Sequence, residues 1–334
     1  MTSVLVTGGS GFIGQHLVSE LVGRGRQVRV LDVRLPSRGL PSVDYVLGSV
    51  LDTELVRKAM TGVGEVYHLA GLPGMWKEDR TEFHAVNYIG TEIVLAAARS
   101  RGVQRFLHCS TESILFHGVD GGDVEAEEAS LSVEHMPGPY TRSKMLADRL
   151  ALEAADSGMH VVVGCPTMPI GPHDHNLTPP TAMLQHFLGG GLMQMYLDFV
   201  VNMVDVRDAA LGLMLALERG RVGQRYIIGG DSLPLSQVLS LMAAASPRRK
   251  FFLPVPGQLA ELAATMIEFK ADYLTRRQPA ATVEGVRIAR AAAALSIEKA
   301  RRELGYAPRA IELVLKETIA RMMGVPASEV LKHA

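Results

Sequence analysis

Residues 7–17 read TGGSGFIGQHL, with three glycines at every third position between an apolar run (3–6) and a helix-like pattern formed by Phe12, Ile13, Leu17, Leu21 and Val22. The stretch therefore reads as strand, tight turn, helix. Each glycine has its own physical task. Gly8 takes a turn conformation closed to other residues, Gly11 lets backbone approach a pyrophosphate, and Gly14 lets the helix pack close to the strand. The helix N-terminus offers unpaired N–H groups and a positive dipole end to a phosphate. A glycine triplet also suits a tight turn with no ligand. The next apolar run, 27–31, ends on Asp32, at the spacing where an acidic side chain binds the ribose hydroxyls of a dinucleotide.

Strand patterns at 4–6, 28–31, 45–47, 66–69, 106–108 and 161–164 alternate with helical stretches at 55–60, 91–99 and 143–155. That alternation predicts a parallel sheet covered on both faces, with its ligand site at the carboxyl ends of the strands. After Pro166 the rhythm breaks into PTMPIGPHDHNLTPP and then a glycine run at 189–191. A strand at 203–206, a helix at 209–217 and a strand at 225–228 are expected to return to the sheet. The division that follows is a dinucleotide-binding domain at 1–166 plus 203–228, and a substrate-binding lobe at 167–202 and 229–334, interleaved in sequence.

The 334 residues are 47% hydrophobic and 21% charged, with a net charge of −1, so the chain as a whole has no field to attract nucleic acid or an anionic membrane surface. No apolar run approaches the ~20 residues needed to span a bilayer, and the N-terminus enters a strand without a basic segment and cleavage site. The two cysteines, Cys109 and Cys165, lie in apolar strand-like runs without metal-ligand spacing. They read as reduced core thiols of a cytoplasmic protein. His173, Asp174 and His175 are a local cluster without a distant Cys or His partner, which reads as a polar loop and not as a metal site.

Two nearby stretches hold candidate chemistry: CSTES at 109–113, after a strand, and YTRSK at 140–144, opening a helix. Tyr140 and Lys144 are one turn apart and share a face. An ammonium beside a phenol favours tyrosinate, as an acid–base catalyst near neutral pH requires. Thr111 can hydrogen-bond the same substrate oxygen.

TGGSGFIG at the first turn, HLAG (68–71) after the fourth strand, VNYIGT (86–91), CST and YTRSK stand in the order of the extended short-chain dehydrogenase/reductase family, which the sequence resembles. PTMPIGP, NMVDVRDAA, RYIIGG and RRELGYAP carry the likeness across nearly the whole chain. Within that family the chain is similar to the bacterial branch of hopanoid-associated sugar epimerases, itself dihydroflavonol-reductase-like. The resemblance implies an α/β fold, a Rossmann doubly wound parallel sheet with a smaller, interleaved C-terminal substrate-binding lobe. It also implies hydride transfer between nicotinamide and a carbinol or carbonyl carbon. Tyr140 would be the general acid/base, Lys144 would lower its pKa and hold the nicotinamide ribose, and Thr111 would orient the substrate oxygen. The implied cofactor groove adds Phe12 and Ile13 to the glycines, with Asp32 and Arg34 after the second strand. Further along come Ser49 and Val50, then Leu69, Ala70 and Gly71, and finally Pro166. Two positions depart from the family pattern: Thr111 stands where serine is usual, and Ser49 where an aspartate beside the adenine is frequent.

Asp32 favours NAD because its carboxylate repels the 2′-phosphate of NADP, while Arg34 could accommodate that phosphate, so NADP stays open. Trp76, the sole tryptophan, reads equally as surface packing or pocket lining. The apolar stretch 251–269 reads as core of the small lobe, with a lid over an apolar substrate or a dimer surface as the other readings. In the sugar-nucleotide epimerases of the family an arginine pairs with the substrate pyrophosphate, and Val201 falls at its place; Arg207 lies on a different face. The expected activity is thus an NAD(P)-dependent dehydrogenase or reductase acting on a secondary alcohol or ketone of a largely apolar small molecule. The alternatives are a nucleotide-sugar epimerase or dehydratase using bound NAD and, from another class, a non-catalytic dinucleotide sensor. A homodimer paired through helices is expected, as such folds commonly form.

Overall fold

The structure is a computed structural model that describes residues 3–117, 127, 132–245 and 250–324. Its strands in chain order begin with β1 (Ser3–Thr7), β2 (Val28–Asp32), β3 (Val43–Leu47), β4 (Val63–His68), β5 (Arg105–Cys109) and β6 (Val161–Pro166). They continue with β7 (Met168–Ile170), β8 (Met193–Tyr196), β9 (Val200–Asp205), β10 (Arg225–Ile228), β11 (Ser232–Pro234) and β12 (Phe251–Pro254). Seven of them form one parallel sheet in the order β10-β6-β5-β4-β1-β2-β3. Val4, Leu5 and Val6 are fully buried, an unbroken apolar run of the kind a strand covered on both faces requires. The chain runs outward from β1 through β2 to β3, then restarts at β4 on the other side of β1. The strand order thus reverses between β1 and β4, which opens a crevice at their carboxyl ends.

One face of the sheet carries α1 (Phe12–Gly23) and α7 (Val206–Arg219); the other carries α2 (Thr53–Ala59), α4 (Gly90–Ser100) and α5 (Pro139–Asp156). A short α3 (Thr81–Phe83) leads into α4 through a π-helical turn, His84–Ile89. The small lobe has its own core, in which Ile170, Leu184, Val201, Met203, Leu239 and Leu315 pack together under α6 (Pro179–Gly189), α8 (Leu235–Ala245) and α12 (Ile311–Met323).

Three sequence expectations change. The strand before α7 does not return to the main sheet: β9 pairs with β7 and, antiparallel, with β11 in a separate three-stranded sheet, because Val201 and Met203 belong to the small core. Only α7 and β10 of that region join the large sheet. Second, the C-terminal third is divided: Ile297, Ala300, Leu304 and Tyr306, on and around α11 (Glu298–Leu304), pack into the main core, and the Tyr306 hydroxyl donates to the Gly229 carbonyl at 3.0 Å. Third, 251–269 is not core. Along α9 (Gly257–Lys270) only Ala264 is buried, while Leu259, Leu262, Met266 and Phe269 are exposed. Among the described residues no helix is long and apolar enough to cross a membrane.

Candidate active site

The glycine turn caps β1 at the crevice. Gly8 has φ +70°, and a Cβ there would lie 2.7 Å from the Ala70 nitrogen and 2.8 Å from the Leu69 carbonyl carbon, so glycine satisfies both the backbone conformation and the approach of the β4 loop. Gly14 presses against backbone of Gly8 and Gly9, so its packing partner is the turn itself and not the strand. A Cβ on Gly11 would meet only the Gly8 carbonyl oxygen at 3.1 Å and otherwise faces open space. Gly11 is the N-cap of α1 with no side-chain cap, and no acidic residue lies in the first turn. The N–H groups of Phe12 and Ile13 are left for a ligand, the arrangement a pyrophosphate requires. Asp32 lies beside this turn: one carboxylate oxygen accepts from the Ser10 N–H at 3.0 Å, the other from the Arg34 N–H at 3.3 Å. The Arg34 guanidinium donates to Asn176 Oδ1 at 2.8 Å. Next to Asp32, the Ser49 hydroxyl accepts from the Leu51 N–H at 3.1 Å, and Val50 packs on Gly90. These residues fit a dinucleotide.

The β4 side is braced by a buried polar chain that sequence reading passed over. The Thr7 hydroxyl meets His68 Nδ1 at 2.7 Å and accepts the Ala70 N–H, while His68 Nε2 meets Thr91 Oγ1 at 2.9 Å. The Thr91 hydroxyl itself donates to the Asn87 carbonyl at 2.6 Å. These partners are all satisfied when His68 is neutral with its proton on Nε2, and burial together with the Lys144 charge pushes its pKa down to about 3. Asn87, in the π-turn, accepts the Leu72 N–H at 2.7 Å and donates to Ser143 Oγ at 2.9 Å. Gly71 is needed close by, since a Cβ would sit 3.0 Å from Asn87 Oδ1. The loop after β4 is thereby tied to the helix that carries Tyr140 and Lys144. Pro166 ends β6 at the same edge of the sheet.

Helix α5 begins at Gly138 with Pro139 in its first turn, and this start sets Tyr140 and Lys144 on one face. Tyr140 packs edge-on against Phe83, with ring centroids 6.0 Å apart, and the Thr111 hydroxyl lies near enough to lower its phenol pKa. The buried Lys144 ammonium donates to the Cys109 carbonyl at 2.7 Å. The structure thus brings Thr111, Tyr140 and Lys144 together at the end of β5. It does not bear out the expected lowering of the phenol pKa. Burial pushes Tyr140 up to about 12, the Thr111 hydroxyl pulls the other way, and the Glu284 and Glu112 carboxylates add to the rise. The Lys144 ammonium is anchored on the Cys109 carbonyl, and burial lowers its own pKa.

Two carboxylates complete the site, and neither carries a motif that singles it out in the sequence. Glu284, on α10 (Val283–Ala291), accepts from the Tyr140 N–H at 3.2 Å, the Thr141 N–H at 2.8 Å and the Thr141 hydroxyl at 2.7 Å. It caps the helix that carries Tyr140 and Lys144 from the far end of the chain, in space that a Cβ on Gly138 would fill. Burial raises its pKa, and these hydrogen bonds pull against that. Glu112 is buried next to Thr111, with one oxygen lacking a partner among the described residues. Burial raises its pKa well above the carboxylate range, and a hydrogen bond from Asn202 of β9 offsets part of this.

The remaining candidates serve structure. Val201 is fully buried in the small core, so its apolar character reflects packing and not the pocket; the face of β9 toward Glu112 presents Asn202. Arg207 is paired with Asp205 at 2.6 Å and Glu317 at 3.1 Å. Asp174 accepts from the Thr178 N–H at 2.9 Å and hydroxyl at 2.6 Å, which organises the 173–178 loop. The Trp76 indole donates to Asp272 at 2.7 Å, pinning its loop to the residues after α9.

Comparison with known proteins places this geometry. Residues 4–229 match the model of the NAD dependent epimerase/dehydratase family. A 4-hydroxy-2-methyl-3-oxo-4-farnesyl-3,4-dihydroquinoline-1-oxide ketoreductase of Stigmatella aurantiaca is 33% identical over 91% of this chain and 91% of its own length. The decarboxylating sterol-4-alpha-carboxylate 3-dehydrogenase of Mus musculus is 30% identical over 91% of this chain and 86% of its own. The crystal structure of gox2253 superposes with a TM-score of 0.80 at 26% identity, covering 97% of this chain and 98% of that one. With the glycine turn, Asp32 and the β1/β4 crevice arranged for a dinucleotide, the chain belongs to the NAD dependent epimerase/dehydratase family, and NAD is its cofactor.

Proposed function

We propose that the protein reduces the ketone of a largely apolar small molecule to a secondary alcohol, reversibly, with Tyr140 as the proton donor. One arrangement carries the reading: Tyr140 and Lys144 share a face at the start of α5, Lys144 is anchored on Cys109 at the end of β5 beside Thr111, and burial keeps the Tyr140 phenol protonated where a carbonyl oxygen gaining negative charge needs a proton. Bound NAD, in its reduced form, would supply the hydride. Thr111 orients the carbonyl oxygen, and Tyr140 delivers its proton to that oxygen. Lys144, anchored on Cys109, is placed to hold the cofactor ribose, and Asp32 to select the 2′-hydroxyl of NAD against the phosphate of NADP. Glu112 offers a second hydrogen bond at the substrate.

Apolar character is supported by the disposition of cations. Arg207 and Arg309 are both engaged by buried acids, Asp205 and Asp208, and neither is free for a pyrophosphate. A dianion there would be poorly compensated, at a cost of several kcal/mol. The names of the farnesyl-quinoline ketoreductase and the sterol dehydrogenase point to the same substrate class. A homodimer is in keeping with the groove between α4 and α5, lined by Leu95, Ala96, Leu150 and Ala154. The test is a turnover panel with NADH and NAD, using terpenoid, steroid and aryl ketones and alcohols beside UDP- and dTDP-sugars. Turnover of apolar ketones supports the reading; epimerisation or dehydration of a sugar nucleotide without turnover of any apolar ketone overturns it.

A further inference from the structure

Helix α9 is turned inside out. Its acidic side chains face the protein: Glu261 pairs with Arg287 at 2.8 Å and with Arg290, Glu268 with Arg80 at 2.5 Å, and Asp272, just past the helix, with Arg80 at 3.0 Å. Its apolar side chains face outward. Leu259, Leu262, Met266, Phe269 and Tyr273 follow one another at spacings of three and four residues, a single stripe along a helix, and each is 58–68% exposed. A surface helix of an isolated globule has the opposite polarity.

A second exposed apolar face lies just before α9 in the chain. β12 lies two residues before α9 and pairs in parallel with β8, Phe251 opposite Met193 and Leu253 opposite Met195. These four share one face of the ribbon and are 53–72% exposed, while Phe252 and Tyr196 pack against the small core. Nine large apolar side chains exposed on the ribbon, on α9 and just past it exceed what a protein leaves bare without a use for them.

We propose that this face seats the protein on the surface of an anionic lipid bilayer, with α9 lying flat in the headgroup region. Charge selects the occupant. Every acidic side chain of α9 is neutralised on the inner side, whereas Lys270 and Arg277 are exposed and make no ion pair among the described residues. An apolar stripe flanked by the unpaired cations Lys270 and Arg277 matches acyl chains below and acidic headgroups beside it. A second copy of this face would bring the same cations to the seam, with the acids of α9 already paired inward. The overall charge of −1 averages over this local field, and the contact is peripheral, not a span. Docking of this face stands whichever ketone or alcohol the protein turns over.

The experiment is co-sedimentation of the purified full chain with vesicles of phosphatidylcholine alone and of phosphatidylcholine mixed with phosphatidylglycerol. Wild type is expected to pellet with the mixed vesicles and to be released by salt. Leu262→Asp with Met266→Asp should abolish pelleting. Lys270→Glu with Arg277→Glu should weaken it about 30-fold or more, since each cation near an anionic surface is worth roughly fivefold in binding. Neither pair lies in the cofactor or catalytic machinery, and an unchanged NAD-induced thermal shift shows that both variants are folded. Wild type that stays in the supernatant with both vesicle types overturns the proposal. So does an oligomer, seen by sedimentation velocity, that the aspartate pair splits while no vesicle binding is found.

Discussion

Glu284 lies 144 residues beyond Tyr140 in sequence, yet it holds the start of the helix that carries Tyr140 and Lys144. Glu284→Ala removes three hydrogen bonds from N–H and O–H donors, a net loss of about 1 kcal/mol each, and the favourable charge at a helix N-terminus, about 0.5–1 kcal/mol more. The burial cost that raises its pKa is relieved at the same time, which leaves roughly 2–4 kcal/mol. For 334 residues the unfolding entropy is about 0.7 kcal/mol/K, so Tm should drop by about 3–6 °C. Gly138 supplies an internal control. Its backbone is extended, with φ −168°, so alanine is not strained there; the three atoms nearest to a Cβ all belong to the Glu284 side chain. Gly138→Ala alone should therefore destabilise by displacing Glu284, and should be nearly neutral once Glu284 is alanine. Differential scanning fluorimetry on the four-member cycle measures the coupling. An equal Tm loss from Gly138→Ala in both backgrounds would refute the capping argument. In the same variants kcat should fall about 10–100-fold, with NAD affinity kept, because the Tyr140 backbone loses its anchor.

Tyr140→Phe should lower kcat about 10²–10⁴-fold in stopped assays while leaving Tm and NAD affinity unchanged, since only the proton-carrying hydroxyl is lost; a residual rate above a tenth of wild type would contradict the role. The pH profile follows from the phenol being held at about 12. The protonated form is needed for reduction and is fully present at neutral pH, so kcat/KM for the ketone should be flat from about pH 6 to 9, while alcohol oxidation, which needs the phenolate, should climb about tenfold per pH unit. A flat oxidation profile would show that another base acts. Asp32→Ala should weaken NAD and strengthen NADP binding in paired titrations. The loss of the Ser10 and Arg34 N–H contacts adds to the first effect, and wild type that already prefers NADP would put Arg34 in control. Lys144→Met should raise the Kd for NAD more than Tyr140→Phe does, as read by calorimetry.

The glycine spacing, the apolar runs and the Tyr–Lys spacing are local signals, and local physics decides them. Gly8 at positive φ, Gly11 facing open space, and Tyr140 and Lys144 on one helical face all stand where a few neighbouring residues put them. The doubly wound sheet and its crevice were legible for the same reason, since alternating strand and helix periods leave few ways to bury both faces. What tertiary structure alone decided concerns partners far apart in sequence. Glu284 caps α5, β9 leaves the parallel sheet for a second one, and α11 packs on the main core, all through contacts that no local pattern encodes. The Tyr140 phenol is pushed up by burial, and how deeply it is buried is set by the fold around it. The apolar stretch that ends in α9 has the composition of a core in any linear reading; only its place in the fold, with its acids paired inward to Arg80, Arg287 and Arg290, turns that stripe toward the outside. Periodicity reports that a helix has two faces, and the fold chooses which one is buried.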